Sequence, residues 1–225
     1  PACPVLYLLR LLPRIFLAGP QSFLPPTPTP TPTSCRHGMA SRSAHLGCLE
    51  VCRALADQRN DIKLNLLVHT KNAQKMNQLL EPLNLHRQLE LIEVTDVNPG
   101  TAIRLAHKID QGEIVVVVGD RVPVTGEKNT VTAKFLGHDA HFAQGPFVLA
   151  HVLKCRVLTM FCLRHAHGYQ IHCEPLAERV HLPRKTRNEA LQTYVESYVN
   201  RLEEHCRLAP LQWFNFYPYW RDDAN

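Results

Sequence analysis

No run of about 20 apolar residues occurs in the 225-residue chain, so no conventional membrane-spanning helix is expected. The nearest candidate, residues 5–18 (VLYLLRLLPRIFLA), is short, carries Arg10 and Arg14 and is interrupted by Pro13, which suits a segment lying at a membrane interface. It has neither the basic start nor the clean cleavage site of a secretory signal. The eight cysteines, at positions 3, 35, 48, 52, 155, 162, 173 and 206, never make the paired two-residue spacing of a zinc ribbon or finger. Several lie in apolar runs, where a free thiol packs as a small hydrophobe. No G-x-G-x-x-G follows a strand-like run and no G-x-x-x-x-G-K-[ST] occurs, which removes the two common nucleotide-binding frames. Excess charge is also scarce: 25 basic residues are offset by 20 acidic ones spread along the chain, for a net +5. That balance favours anionic surfaces or phosphorylated ligands only weakly and gives no reason to expect nucleic acid as a partner.

What is present is enough apolar sequence, 45% of residues, to bury a core of ordinary domain size. Residues 20–34 (PQSFLPPTPTPTPTS) form a Pro/Thr repeat that favours an extended, solvated linker. Beyond it, short β-branched runs alternate with amphipathic stretches. The domain boundary is therefore set near residue 40, dividing a leader of residues 1–40 from a domain of residues 41–225. Strands are expected over 64–70, 89–94, 113–119, 157–163 and 169–174, and helices over 47–59, 71–81, 98–111, 146–154 and 186–207. This alternation predicts an α/β fold, a single domain with a mostly parallel central sheet flanked by helices, with the VVVV run of 115–118 as its most buried strand.

Three stretches carry residues suited to chemistry. In AHLGCLEVCRALA (residues 44–56), His45 precedes an expected helix and Glu50 lies about one turn inside it, where its carboxylate can reach back to the imidazole. A neutral histidine accepts the proton of an attacking hydroxyl, and a carboxylate fixes its tautomer and stabilises the imidazolium that forms. Spacing alone fits a helix-capping histidine and a surface glutamate equally well, since a chain with 13 histidines contains such pairs by chance. GDRVPV (residues 119–124) closes the VVVV strand, where active-site residues of parallel sheets emerge. Arg121 there suits a phosphate or carbonyl oxygen and Asp120 suits holding that arginine or the loop, although a salt-bridged turn reads the same way. Gly145 and Pro146 stand in the order of a helix start, whose amides suit an anion, while tight packing accounts for the glycine as simply. The histidines 138, 141, 165, 167 and 172 have no carboxylate completing a persuasive metal set, and no metal or cofactor is called for. The tail QWFNFYPYW (residues 212–220) suits capping of the core or a headgroup layer, with capping the simpler reading.

HLGCLEVCRAL resembles the H-x-x-x-x-E block of the glycerolipid and lipid A acyltransferase superfamily, in the HLGNLE form of the lipid A branch. His45, Gly47 and Glu50 match it, and Cys48 stands where an asparagine is usual. GDRVPV, the Gly145 helix start, Glu174–Pro175 and the aromatic ending resemble later blocks of that family in the family's order. Residues 41–225 are covered nearly continuously. Ahead of them GMASRSA replaces the Gly-rich strand that leads into the motif in relatives, so the leading part of the domain is expected to be lost or replaced.

The resemblance implies transfer of a fatty acyl group from an acyl carrier protein thioester, or from acyl-CoA, to a hydroxyl of a lipid A-like or glycolipid acceptor. It implies His45 and Glu50 as the catalytic pair and Asp120, Arg121 and Gly145 as substrate-binding residues. It also implies peripheral attachment to the cytoplasmic side of the inner membrane. The alternative is a catalytically impaired, membrane-associated lipid-binding module of the same fold.

Overall fold

The computed structural model describes residues 39–47, 63–68, 89–93, 99–120, 122, 129–166, 168–216 and 219–220. The segment 5–18, the Pro/Thr repeat, the expected helices over 71–81 and most of 47–59, and the residues Glu50 and Arg121 lie outside these. Eight strands are seen: β1 (Met39–Ser43), β2 (Leu64–Val68), β3 (Leu89–Glu93), β4 (Ile114–Val118), β5 (Thr130–Phe135), β6 (His138–Ala143), β7 (Arg156–His165) and β8 (Gly168–Ala177). Three α-helices accompany them among the described residues: α1 (Pro99–Asp110), α2 (Gly145–Leu153) and α3 (Arg187–Leu208). Six strands form one sheet in the order β3-β2-β4-β1-β7-β8, parallel throughout except for the β7–β8 hairpin. This is the mostly parallel α/β sheet read from the sequence, and the five strands expected from hydrophobic runs all fall within it.

Two elements were not expected. Residues 39–43 (MASRS), read from the sequence as part of a substitute leader, form β1, a strand in the interior of the sheet with all five residues buried. β1, not the VVVV strand, is therefore the most completely buried; β4 is only partly so at Ile114, Val117 and Val118. MASRS escapes hydrophobic pattern reading because three of its five residues are polar: Ser41, Arg42 and Ser43 are 4%, 2% and 0% exposed. The second is the β5–β6 hairpin, in which Phe135 pairs with His138 across Leu136 and Gly137, both at positive φ (51° and 89°). Positive φ at both loop positions is the two-residue turn whose twist matches that of the strands.

The main core lies on one face of the sheet. Ala40, Leu67, Ile92, Val115 and Val157 meet Leu105 and Ile109 of α1, Phe147 and Ala150 of α2, and Val195, Tyr198 and Leu202 of α3. Around Phe135 the aromatic tail closes this core: Trp213, Tyr219 and Trp220 place their rings 5.2, 5.7 and 6.2 Å from it. Their packing gives the capping role expected of the tail.

A polar knot holds the sheet at the N-terminal ends of β2, β3 and β4. The Glu113 carboxylate accepts from Asn65 Nδ2 at 2.9 Å and Lys108 Nζ at 3.1 Å, and Lys108 also reaches Glu90 at 2.8 Å. Burial alone would raise the Glu113 carboxyl, but the bonds from Asn65 and Lys108 outweigh it and hold the group below the usual 4.5. A depressed carboxylate contributes stability that is present above the unfolded value and is lost as pH falls through the folded one. Glu113→Gln is therefore expected to cost about 2 kcal/mol at neutral pH in urea denaturation. The difference from the parent should close as the pH is lowered through and below 4.5; a gap independent of pH would contradict the assignment.

Candidate active site

The site follows from strand register. β1 and β4 lie side by side in parallel, with Ser43 opposite Val118, and the Gly119 amide donates to the Ser43 carbonyl at 2.9 Å. Two residues further along each chain, His45 and Asp120 face each other at the C-terminal ends of the strands, the edge where open α/β sheets place their reactive groups. The Asp120 carboxylate uses both oxygens on one residue: Oδ2 accepts from the His45 amide and Oδ1 lies 2.9 Å from His45 Nδ1. Its side chain has no exposed surface, while that of His45 is 34% exposed. A carboxylate only accepts, so Nδ1 carries the proton, and in the neutral ring Nε2 holds the lone pair. The histidine is thus oriented from inside the protein while part of its side chain stays exposed.

The loop carrying His45 is fixed on every flank. Phe214 donates its amide to the His45 carbonyl at 2.8 Å, and Gly47 donates to Gln212 O at 2.8 Å. Leu46 bridges Trp213, and Gly47 bridges Cys162 of β7. Gly47 adopts φ +72°, and a Cβ there would overlap the Cys162 carbonyl. The glycine of the HLG block is required by this close backbone approach as well as by its conformation. Tyr219 Oη donates to the Asp120 carbonyl at 2.9 Å, and Tyr198 Oη to the Ser43 carbonyl at 3.0 Å.

Beneath the pair lies Arg42, which sequence reading passed over. Its guanidinium is sandwiched between the rings of Phe147 and Tyr198, each centroid 4.0 Å from Cζ. Nη2 donates to the Gly119 carbonyl at 3.0 Å, whereas Nε and Nη1 have no hydrogen-bond partner among the described residues. Burial lowers its pKa, and the nearby Tyr198 and Asp120 act against that. An arginine stays charged under such conditions, so this buried cation rests on two aromatic faces and on the field of Asp120. A Cβ on Gly119 would strike the guanidinium, which explains the glycine of GDR. Burial raises the Tyr198 phenol, which stays neutral and donates.

Of the residues predicted from the sequence, the structure brings His45 and Asp120 together. The carboxylate on the described face of the His45 ring belongs to Asp120; Glu50 and Arg121 lie outside the described residues. Asp120 was expected to hold a substrate clamp or its loop, and its burial with both oxygens on His45 instead leaves it no surface for substrate. Gly145 opens α2 and is exposed, with no hydrogen bond to the pair among the described residues. Pro146 has no N–H and the amides of Phe147 and Val148 donate to Gln144 O, so the first turn retains only the Gly145 amide for an anion. No disulfide joins the cysteines of the described residues, and burial pushes the Cys206 thiol up to about 12, far from the reactive range.

If Arg42 and Asp120 compensate one another, removing the cation leaves a buried anion. Arg42→Met is expected to cost about 3 kcal/mol in urea denaturation. Arg42→Met/Asp120→Asn should cost less than the two single changes added, and strict additivity would show that the two charges are independent.

Comparison with known sequences follows the same residues. No curated protein sequence matched the chain significantly. The sequence profile described as bacterial lipid A biosynthesis acyltransferase matches residues 41–222, a span holding the His45 loop, the Asp120 turn, all of β2 to β8 and the whole aromatic tail, and the chain belongs to that acyltransferase family.

Proposed function

We propose that this chain transfers a fatty acyl group from an acyl carrier protein thioester to a hydroxyl of a lipid A-like or glycolipid acceptor, with His45 as general base. Membership of the family supports acyl transfer in lipid A biosynthesis. The observation that carries the mechanism is the Asp120 carboxylate on Nδ1 of a half-exposed His45. In this reading Nε2 takes the proton of the acceptor hydroxyl as its oxygen attacks the thioester carbonyl. The carbon–sulfur bond of the tetrahedral intermediate then breaks, and the imidazolium returns the proton to the leaving thiolate.

Asp120 takes the orienting role that sequence spacing suggested for Glu50. Glu50 remains as a second carboxylate of the motif, three positions beyond Gly47. Arg121, next to Asp120, and the Gly145 amide are the proposed partners for oxyanion or phosphate charge. The acyltransferase domain, drawn from the sequence as residues 41–225 behind a leader of residues 1–40, also takes in Met39 and Ala40 through β1 and works from the cytoplasmic side of the inner membrane as a peripheral protein. No helix among the described residues is long and apolar enough to cross a membrane.

His45→Ala should lower acyl transfer by about 100-fold or more. Asp120→Asn keeps the shape but cannot hold the same tautomer, and should also cost on the order of 100-fold or more in kcat. Glu50→Gln should cost less than Asp120→Asn. Thioester consumption and acyl-lipid formation, measured with acyl carrier protein donor and lipid extract, check all three. A parent chain that binds lipid without turnover would favour the lipid-binding module, and a His45→Ala rate equal to the parent's would refute the mechanism.

A further inference from the structure

The segment from the end of α3 to residue 216 has two different faces. Inward, Trp213 packs on Phe135, and Gln212 is latched to the β7–β8 hairpin, its Oε1 accepting from the Arg164 amide at 2.7 Å and its Nε2 donating to the Arg164 carbonyl at 2.8 Å. Outward, Leu208, Leu211 and Phe216 are 66%, 93% and 88% exposed, with Phe214 at 45% beside Phe216. Large apolar side chains this exposed are ordinary when scattered and informative when gathered. Here they sit on a strap that is rigidly held, not on a loose end. The same strap is bonded through the Phe214 amide and the Gln212 carbonyl to the loop that bears His45.

We propose that this outward edge, Leu208, Leu211, Phe214 and Phe216, is the surface by which the chain docks on a lipid bilayer, setting His45 at headgroup depth where a membrane-held acceptor presents its hydroxyl. The proposal rests on the acyl-transfer reading for its purpose, though not for its test. Charge decides between the occupants. An acidic carrier protein needs several free cations, and among the described residues the edge offers one: Arg164, exposed and without an ion pair there, whereas Arg207 is held by Glu203 at 2.7 Å. An apolar ridge edged by a single cation fits insertion among acyl chains, with a minor attraction to anionic headgroups.

The test uses the full chain and the variant Leu211→Ser/Phe216→Ser, neither residue being part of the reaction, with thermal unfolding confirming the same fold. Flotation with phosphatidylethanolamine–phosphatidylglycerol vesicles (3:1) should show partition of the parent and a fall of about tenfold or more in the variant. The partition should persist in 0.5 M NaCl, because apolar insertion is not screened. Transfer to a detergent-dispersed acceptor should be equal in the two proteins, and transfer to a vesicle-held acceptor should drop in the variant. Equal partition of the two proteins, or loss of the parent's binding in high salt, would overturn the docking surface. So would a parent dimer that the variant converts to monomer, since the ridge would then cover a second copy. Absence of transfer by the parent in detergent, alongside the expected partition, would sink the acyl-transfer reading while leaving the docking surface standing.

Discussion

A carboxylate with no exposed surface is the group around which the site is organised. Taking Asp120 out of water is costly unless its oxygens are fully used, and both are used on His45. The same burial brings Arg42 into the account, since a cation beneath the turn offsets the anion while the aromatic rings of Phe147 and Tyr198 stand in for its lost water. Much of the surrounding architecture serves these two charges. β1 and β4 must pair in the observed register, Gly119 must lack a side chain, and α2 and α3 must each deliver one ring of the cage. A half-exposed histidine results, with one tautomer selected from below.

The candidate site and the Glu113 knot lie at opposite ends of the sheet. The Glu113–Lys108–Asn65 knot lies at the N-terminal ends of the strands, and the His45–Asp120 pair at the C-terminal ends of β1 and β4. The Glu113 contacts thus stabilise the end of the sheet away from the His45–Asp120 pair. The aromatic tail links the core to that pair by capping Phe135 with Trp213, Tyr219 and Trp220 and, through Tyr219, holding the Asp120 carbonyl.

How much of this was legible in the sequence depended on whether burial left a hydrophobic trace. β2, β3, β4 and β7 show one, and so does α3; their positions were readable to within a few residues. β1 was not, because Ser41, Arg42 and Ser43 are buried for the sake of hydrogen bonds and charge, and no period-two apolar pattern marks them. The β5–β6 hairpin did leave a signal, alternating residues on either side of Leu136–Gly137, but it was not among the expected strands. At the site, motif spacing singled out His45 and Asp120 separately but not their contact. That contact depends on a register between strands 75 residues apart in the chain, which local sequence does not encode. Arg42 carried no local sign at all.

The central claim, that buried Asp120 dictates the tautomer of His45, is tested most directly by nitrogen NMR of the histidine-labelled chain, with the His45 signals assigned by their loss in His45→Gln. The account predicts that neutral His45 carries its proton on Nδ1 in the parent and loses that preference in Asp120→Asn. A parent His45 protonated on Nε2, or a tautomer indifferent to Asp120→Asn, would contradict it.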